Sequence, residues 1–222
     1  MSLHVNVLIP FLIPAWWKEL AVVRYRVHAG KDTIVSGIAL SKAQQEAADA
    51  GRLVDALLEN ARAAECDGAM VHVIDSFGDR AMRELSERLE RPVTGVGHAA
   101  MHFAHAFSAS FSVITSATAA IDRITRNAFE YGVSERLLTC EAVGIPAAEI
   151  PDCRDDAIRR MASIVRSMAP APRMIVLGCT ELAELAPRLR EELSLEEFPH
   201  PIVVINPLIV AIRWAEAAAL AL

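Results

Sequence analysis

The sequence predicts an α/β protein built from two halves of similar layout. Three observations carry this. Short apolar runs alternate with longer amphipathic ones along the 222 residues, as in strand–helix–strand units joined by right-handed crossovers. Several short runs are continuously apolar, the mark of strands covered on both faces of a parallel sheet. About four such runs precede Gly97 and about four follow it. The duplication is one of layout, with no residue-level repeat.

Taken in order, HVNVLIPFL reads as the first core strand. Its apolar run invites a signal-peptide reading, but Pro10 and Pro14 break it and no basic leader precedes it. Trp16 and Trp17 then fall on an expected loop, placed to wall a pocket, anchor a subunit contact or simply pack. The next strand is TIVSGIAL, and the amphipathic stretch Lys42–Ala64 is expected as one helix. GAMVHVID is a strand, Asp79–Glu90 a helix, PVTGVG a strand and His98–Ala106 a helix. In the second half come strand FSVITSA, helix Thr118–Tyr131, strand LLTCEAVGI and helix Arg154–Met168. Strand MIVLGC, helix Glu181–Leu193, strand PIVVIN and helix Leu208–Leu220 complete the chain. No Gly/Ser linker separates the halves. The expected domains are 1–97 plus 207–222 and 98–206, the last helix returning to the first.

Composition narrows the function classes. Hydrophobic residues make up 53% of the chain, enough for a sizeable core. A formal charge of -6 without clustered Lys and Arg argues against nucleic acid, and 5% aromatics against a base-stacking surface. No apolar run reaches the roughly 18 residues of a membrane span. Cys66, Cys140, Cys153 and Cys179 form no CxxC pair or zinc spacing, so reduced thiols in a cytoplasmic protein are expected. A homo-oligomer is expected from the acidic chain and its tryptophans.

Chemistry-bearing residues cluster at strand ends, where ligands bind in such sheets. In MIVLGCTEL, Cys179 sits where a strand gives way to a helix, with Gly178 for a close turn and Thr180 as a candidate cap. A thiol beside first-turn N–H groups should lose its proton more readily; a buried structural cysteine is the alternative. In VIDSFGD, Asp75 and Ser76 occupy a similar corner, with Asp79 placed to start a helix. They suit catalysis or plain turn capping. Thr115, Ser116 and Thr118 in FSVITSATAAIDRI supply hydroxyls for an anion or carbonyl cradle, or for capping. His98 and His102 share a helix face with His105 nearby, but Phe and Met interleave them and no acidic partner follows, so no metal is expected.

These segments together resemble the aspartate/glutamate racemase superfamily, and within it the hydantoin racemase branch. MIVLGCTEL looks like the family's second cysteine motif. TGVGHAAMHFA, FSVITSATAAIDRI and AVGIPAAEI resemble three further stretches, in family order, from about Gly68 onward. The resemblance implies two similar parallel-sheet α/β domains with pseudo-twofold symmetry facing each other across an interdomain cleft. It also implies two cysteines acting on opposite faces of a substrate carbon, with no metal, pyridoxal phosphate or nucleotide. The acid–base logic holds on its own, since inverting a carbon centre takes one proton off and returns another on the far side. Donors aimed at the adjacent carbonyl must stabilise the carbanion.

Three departures stand out. The family's early cysteine, usually before Phe-Gly-Asp, is matched here by Ser76, with Phe77, Gly78 and Asp79 keeping the register. The family's Asn-Pro-Asn-Thr type loop after the first strand is replaced by LIPFLIPAWWKEL, which retains Pro10. The last strand, which often ends on an acid, ends on Asn206. The expected catalytic residues are therefore Cys179, Ser76 and Asp75. Phe77, Gly78, Thr115, Ser116, Gly178, Thr180 and Pro10 are expected to contact a small carbonyl or carboxylate substrate. The leading expectation is a cofactor-independent racemase or isomerase. The alternatives are a one-cysteine decarboxylase of malonate type and a ligand-binding homologue without chemistry.

Overall fold

The computed structural model describes residues 2–195 and 198–222. The chain divides into two compact units, Met1–Val96 with Leu208–Leu222, and Gly97–Pro207. Each carries a four-stranded parallel sheet with helices, the α/β class that the alternation predicts.

In the first unit the strands are β1 (Leu3–Ile9), β2 (Thr33–Ala39), β3 (Val71–Ile74) and β4 (Val93–Gly95), in the order β2-β1-β3-β4. Strand β1 stops three residues short of the expected end, because Pro10 has no N–H for the ladder. The expected loop after it is a helix, α1 (Ala15–Arg26), which carries both tryptophans, their rings stacked 5.7 Å apart. The single helix expected over Lys42–Ala64 is two, α2 (Lys42–Ala47) and α3 (Leu53–Cys66), joined by a π-helical turn. Gly51, at φ 85°, adopts a left-handed conformation there that no helix interior accepts. At the start of α2, Ser41 and Gln44 form a reciprocal capping box. The helix expected over Asp79–Glu90 shrinks to α4 (Met82–Ser86), since Asp79 and Ala81 have positive φ and only regular backbone can join a helix.

Leu8, Leu57, Ile74 and Leu85 pack into one core of this unit. A polar chain runs through its sheet. His4 Nε2 lies 2.9 Å from Ser36 Oγ, which donates to Asn6 Oδ1 at 3.0 Å. Asn6 Nδ2 meets His72 Nδ1 at 3.3 Å, and His72 Nε2 meets Glu65 at 3.2 Å. Burial lowers the pKa of His72, which favours its neutral ring over a buried cation.

In the second unit α5 (Val96–Phe107) starts directly from β4, two residues before the expected His98. The strands β5 (Phe111–Thr115), β6 (Leu137–Ala142), β7 (Met174–Leu177) and β8 (Val203–Ile205) stand in the order β6-β5-β7-β8. The helices α6 (Ile121–Glu130), α7 (Arg154–Ser167) and α8 (Ala186–Ser194) follow their strands. Helix α6 is preceded by a 3-10 turn at Thr118–Ala120, and α8 starts five residues later than expected, after a 3-10 turn at Ala183–Leu185. Ile114, Met161, Leu177 and Leu189 belong to the core here.

The last helix, α9 (Pro207–Leu220), lies almost wholly in the first unit. Its Glu216 accepts from Gly30 N–H and Thr33 Oγ1, both at 2.6 Å, and from Arg213 at 2.9 Å. No helix among the described residues is long and apolar enough to cross a membrane.

The two sheets share one strand order. In each, the first strand pairs with the second on one side and the third on the other. That reversal opens a crevice beyond the carboxyl ends of β1 and β3, and another beyond β5 and β7.

Candidate active site

Cys179 stands two residues beyond β7, at the second of these crevices. Gly178 puts it there. The Gly178 N–H donates to Ile114 C=O at 2.7 Å, and Thr115 Oγ1 donates to Gly178 C=O at 2.9 Å. A Cβ on Gly178 would come 2.5 Å from Val113 Cγ1, so only glycine lets the chain leave β7 this close to β5. The Thr115 hydroxyl proton therefore holds the two strand ends together. Ser116, one residue on, directs its side chain at the Cys179 sulfur.

The helix expected to begin near Glu181 is instead a turn, in which Leu182 N–H donates to Cys179 C=O at 3.1 Å. Thr180 caps with its backbone carbonyl, which accepts from Ala183 N–H at 3.3 Å, rather than with its hydroxyl. The N–H groups of Glu181 and Leu182 do reach the sulfur, as expected of a strand-to-helix corner. Their effect on ionisation is outweighed. Burial raises the Cys179 pKa above the usual thiol value, while Ser116 and the two N–H groups oppose it and the Glu181 charge adds to it. The expectation of a readily ionised thiol fails because removing the sulfur from water costs the anion more than these donors return. Thr118 is exposed and stands apart from Thr115 and Ser116, which are buried. Asn206 is also buried, and its amide donates to Ala183 C=O at 3.0 Å.

At the crevice of the first unit, Asp75, Ser76, Phe77 and Gly78 follow β3 directly, and Pro10 ends the neighbouring β1. Asp75 N–H donates to Leu8 C=O at 2.9 Å, which keeps its backbone in the sheet. Ser76 turns the chain, its carbonyl accepting from Asp79 N–H at 2.9 Å. Phe77 and Pro10 are buried, while Asp75, Ser76 and Gly78 are half-buried. Asp79 is buried, with its carboxylate pressed on Gly95, where a Cβ would meet Oδ1 at 1.9 Å. Arg80 lies 5.5 Å from the centre of the Phe11 ring, joining the loops after β3 and β1 by a cation–π contact.

Two side chains were not singled out by the sequence. Tyr25 of α1 is fully buried and donates its hydroxyl to Asp75 Oδ1 at 2.8 Å. Nothing local could have announced this pair, which is 50 residues apart in the chain. Glu181 is buried beside the thiol and follows it by only two residues. The histidines form a ring cluster, His98 and His102 at 4.4 Å with Tyr131 edge-on to His98 at 5.0 Å. Among the described residues no group of three or more His, Cys, Asp or Glu is placed to hold a metal ion.

The family model described as Asp/Glu/Hydantoin racemase matches residues 25–215. This chain belongs to that family. A hydantoin racemase of Rhizobium meliloti is 26% identical over 172 residues, covering 77% of this chain and 68% of that protein. One from Paenarthrobacter aurescens is 25% identical over 148 residues, with 66% and 60% covered. The match thus spans three fifths to two thirds of these relatives. Among solved structures, the allantoin racemase of Klebsiella pneumoniae superposes with a TM-score of 0.81 at 24% identity, over 100% of this chain and 89% of that one. Within the racemase family, then, the fold is shared closely while most side chains differ.

Proposed function

We propose that this protein is a cofactor-independent racemase acting at an activated carbon next to a carbonyl, on a hydantoin or amino-acid type substrate. Cys179 is one acid–base group, and a group near Ser76 is the other. The observation that carries this reading is the setting of Cys179 within a chain of this family. Its thiol is kept protonated by burial, yet Ser116 and two backbone N–H groups converge on the sulfur. That combination suits a proton donor whose anion is met by preorganised hydrogen bonds as it forms. In one direction a base removes the α-proton and the C–H electron pair moves toward the adjacent carbonyl. Cys179 then delivers its proton to the same carbon, leaving a thiolate. In the reverse direction the thiolate is the base.

A second reading has support of its own. A variant of arylmalonate decarboxylase shares the fold, with a TM-score of 0.62 at 18% identity over 97% of this chain and 93% of that one. A decarboxylation needs a single proton donor, because the carbanion comes from loss of CO₂. Cys179 alone meets that need, and Ser76 then has no proton to move.

Proton exchange in D₂O separates the two. Incubated with single enantiomers of 5-substituted hydantoins and amino acids, the racemase incorporates deuterium at the α-carbon and loses optical rotation. With arylmalonates the decarboxylase releases CO₂ instead. Cys179→Ala abolishes turnover in either case, and retained turnover in that variant overturns both.

A further inference from the structure

We infer that Asp75 is the proton-exchanging group of the first unit, with Tyr25 as its positioning residue. The inference rests on the racemase reading and names the group near Ser76 that it requires. Three side chains at this strand end have oxygen chemistry. The Ser76 hydroxyl neither ionises in the working range of a protein nor carries a charge to attract a proton. Asp79 is a carboxylate, but it is buried against Gly95 with no room even for a methyl group between them. Asp75 is a half-buried carboxylate directly following β3.

Asp75 is also held at two points. Its N–H is bonded to Leu8 C=O at 2.9 Å, which fixes the main chain, and Tyr25 Oη donates to its Oδ1 at 2.8 Å, which fixes the side chain. Tyr25 is wholly buried on α1. The direction of this bond is set. Burial, then the charges of Asp75 and Asp79, raise the phenol well above its ordinary range, so Tyr25 keeps its proton and Asp75 is the acceptor. A carboxylate oriented in this way is an established base for protons next to a carbonyl. The step balances. Asp75 takes the α-proton and becomes the acid, the C–H electron pair passes to the carbonyl as an enolate, and Cys179 protonates the carbon. Asp75 then gives up its proton and the Cys179 thiolate takes one back, by the reverse reaction or by exchange with solvent.

The test compares Asp75→Asn, Tyr25→Phe and Ser76→Ala with the unaltered protein, using both enantiomers of 5-benzylhydantoin in D₂O. Asp75→Asn keeps the shape of the side chain and lowers kcat by about 100-fold or more, the lower range for loss of a general base. Ser76→Ala lowers kcat less than Asp75→Asn does, because its hydroxyl takes up no proton. Tyr25→Phe lowers kcat by about tenfold, the scale of one hydrogen bond to a charged group, while KM stays within about twofold. It also moves the acid limb of the pH profile to higher pH, because the donor favouring the charged carboxylate is gone. A merely structural role for Tyr25 would not move that limb. Full activity in Asp75→Asn, or its loss in Ser76→Ala, overturns the assignment. If the unaltered protein exchanges no proton, the racemase reading falls and takes the catalytic role of Asp75 with it. The carboxyl ¹³C resonance of Asp75, titrated in wild type and Tyr25→Phe, tests the positioning role without substrate. An unmoved midpoint overturns it.

Discussion

Cys179 should react slowly with alkylating reagents at neutral pH and steadily faster into the alkaline range. The perturbation is pH itself, applied to the resting protein. Burial lifts this thiol above the 9.0 of an unperturbed cysteine. At pH 7, two units below even that floor, fewer than about one thiol in a hundred is ionised, and at pH 8 fewer than about one in ten. Only the thiolate attacks, so the pseudo-first-order rate with iodoacetamide rises about tenfold per pH unit between 7 and 9. The side chain is 9% exposed, which calls for a small reagent and quantification peptide by peptide in a mass spectrometer. Cys140 is the internal control. Burial and the neighbouring Glu141 push it up to about 12, so its rate is still climbing at pH 10. Ser116→Ala removes one donor to the sulfur. A hydrogen bond to a charged group is worth about 1.5 kcal/mol at the lower end, so this variant alkylates about tenfold more slowly at pH 8. A Cys179 rate that is flat from pH 7 to 9, or a faster Ser116→Ala variant, refutes the account of the thiol.

Two further outcomes concern stability. Gly178→Ala sets a methyl group 2.5 Å from Val113 Cγ1 inside the sheet, and should cost about 1–3 kcal/mol as overpacking does, seen as a lower urea midpoint. An unchanged midpoint would mean that Val113 gives way freely. His98 is held neutral, its pKa lowered from 6.5 to about 4, first by burial and then by His102. A base whose folded pKa lies below its unfolded one binds more protons when unfolded. Its contribution is whole above pH 6.5 and is lost as pH falls toward 4, to a limit of about 3 kcal/mol. His98→Asn should make the stability profile flatter over that window, and an equally steep profile would place the acid sensitivity elsewhere.

What could be read from the sequence alone follows from where its signals are local. Continuous apolar runs place every strand within a few residues, and the polar residues that end them mark both crevices. Helix α1 was invisible because its period is blurred, with Trp16, Leu20 and Val23 exposed while Arg24 and Tyr25 are buried. The breaks at Gly51 and at Asp79 and Ala81 depend on backbone angles that composition does not announce. For the candidate site, motif and spacing single out Cys179, Gly178 and Ser116, and the fold brings Ser116 to the Cys179 sulfur. The ionisation of the thiol could not be read in this way, because it is set by how deeply the fold buries the sulfur. The Tyr25–Asp75 bond is a product of tertiary folding and has no sequence signature.

The hold of Glu216 on the segment before β2 has a meaning for the chain as it is made. Helix α9 belongs to the first unit but is synthesised after the whole of the second. The second unit is one uninterrupted stretch and is free to fold as it emerges. The first must wait until residue 207 of 222 before its last helix begins, and its unfinished core is the part most open to wrong contacts during synthesis. Slowing translation over the last helix should therefore expose the N-terminal half, rather than the C-terminal one, to proteolysis.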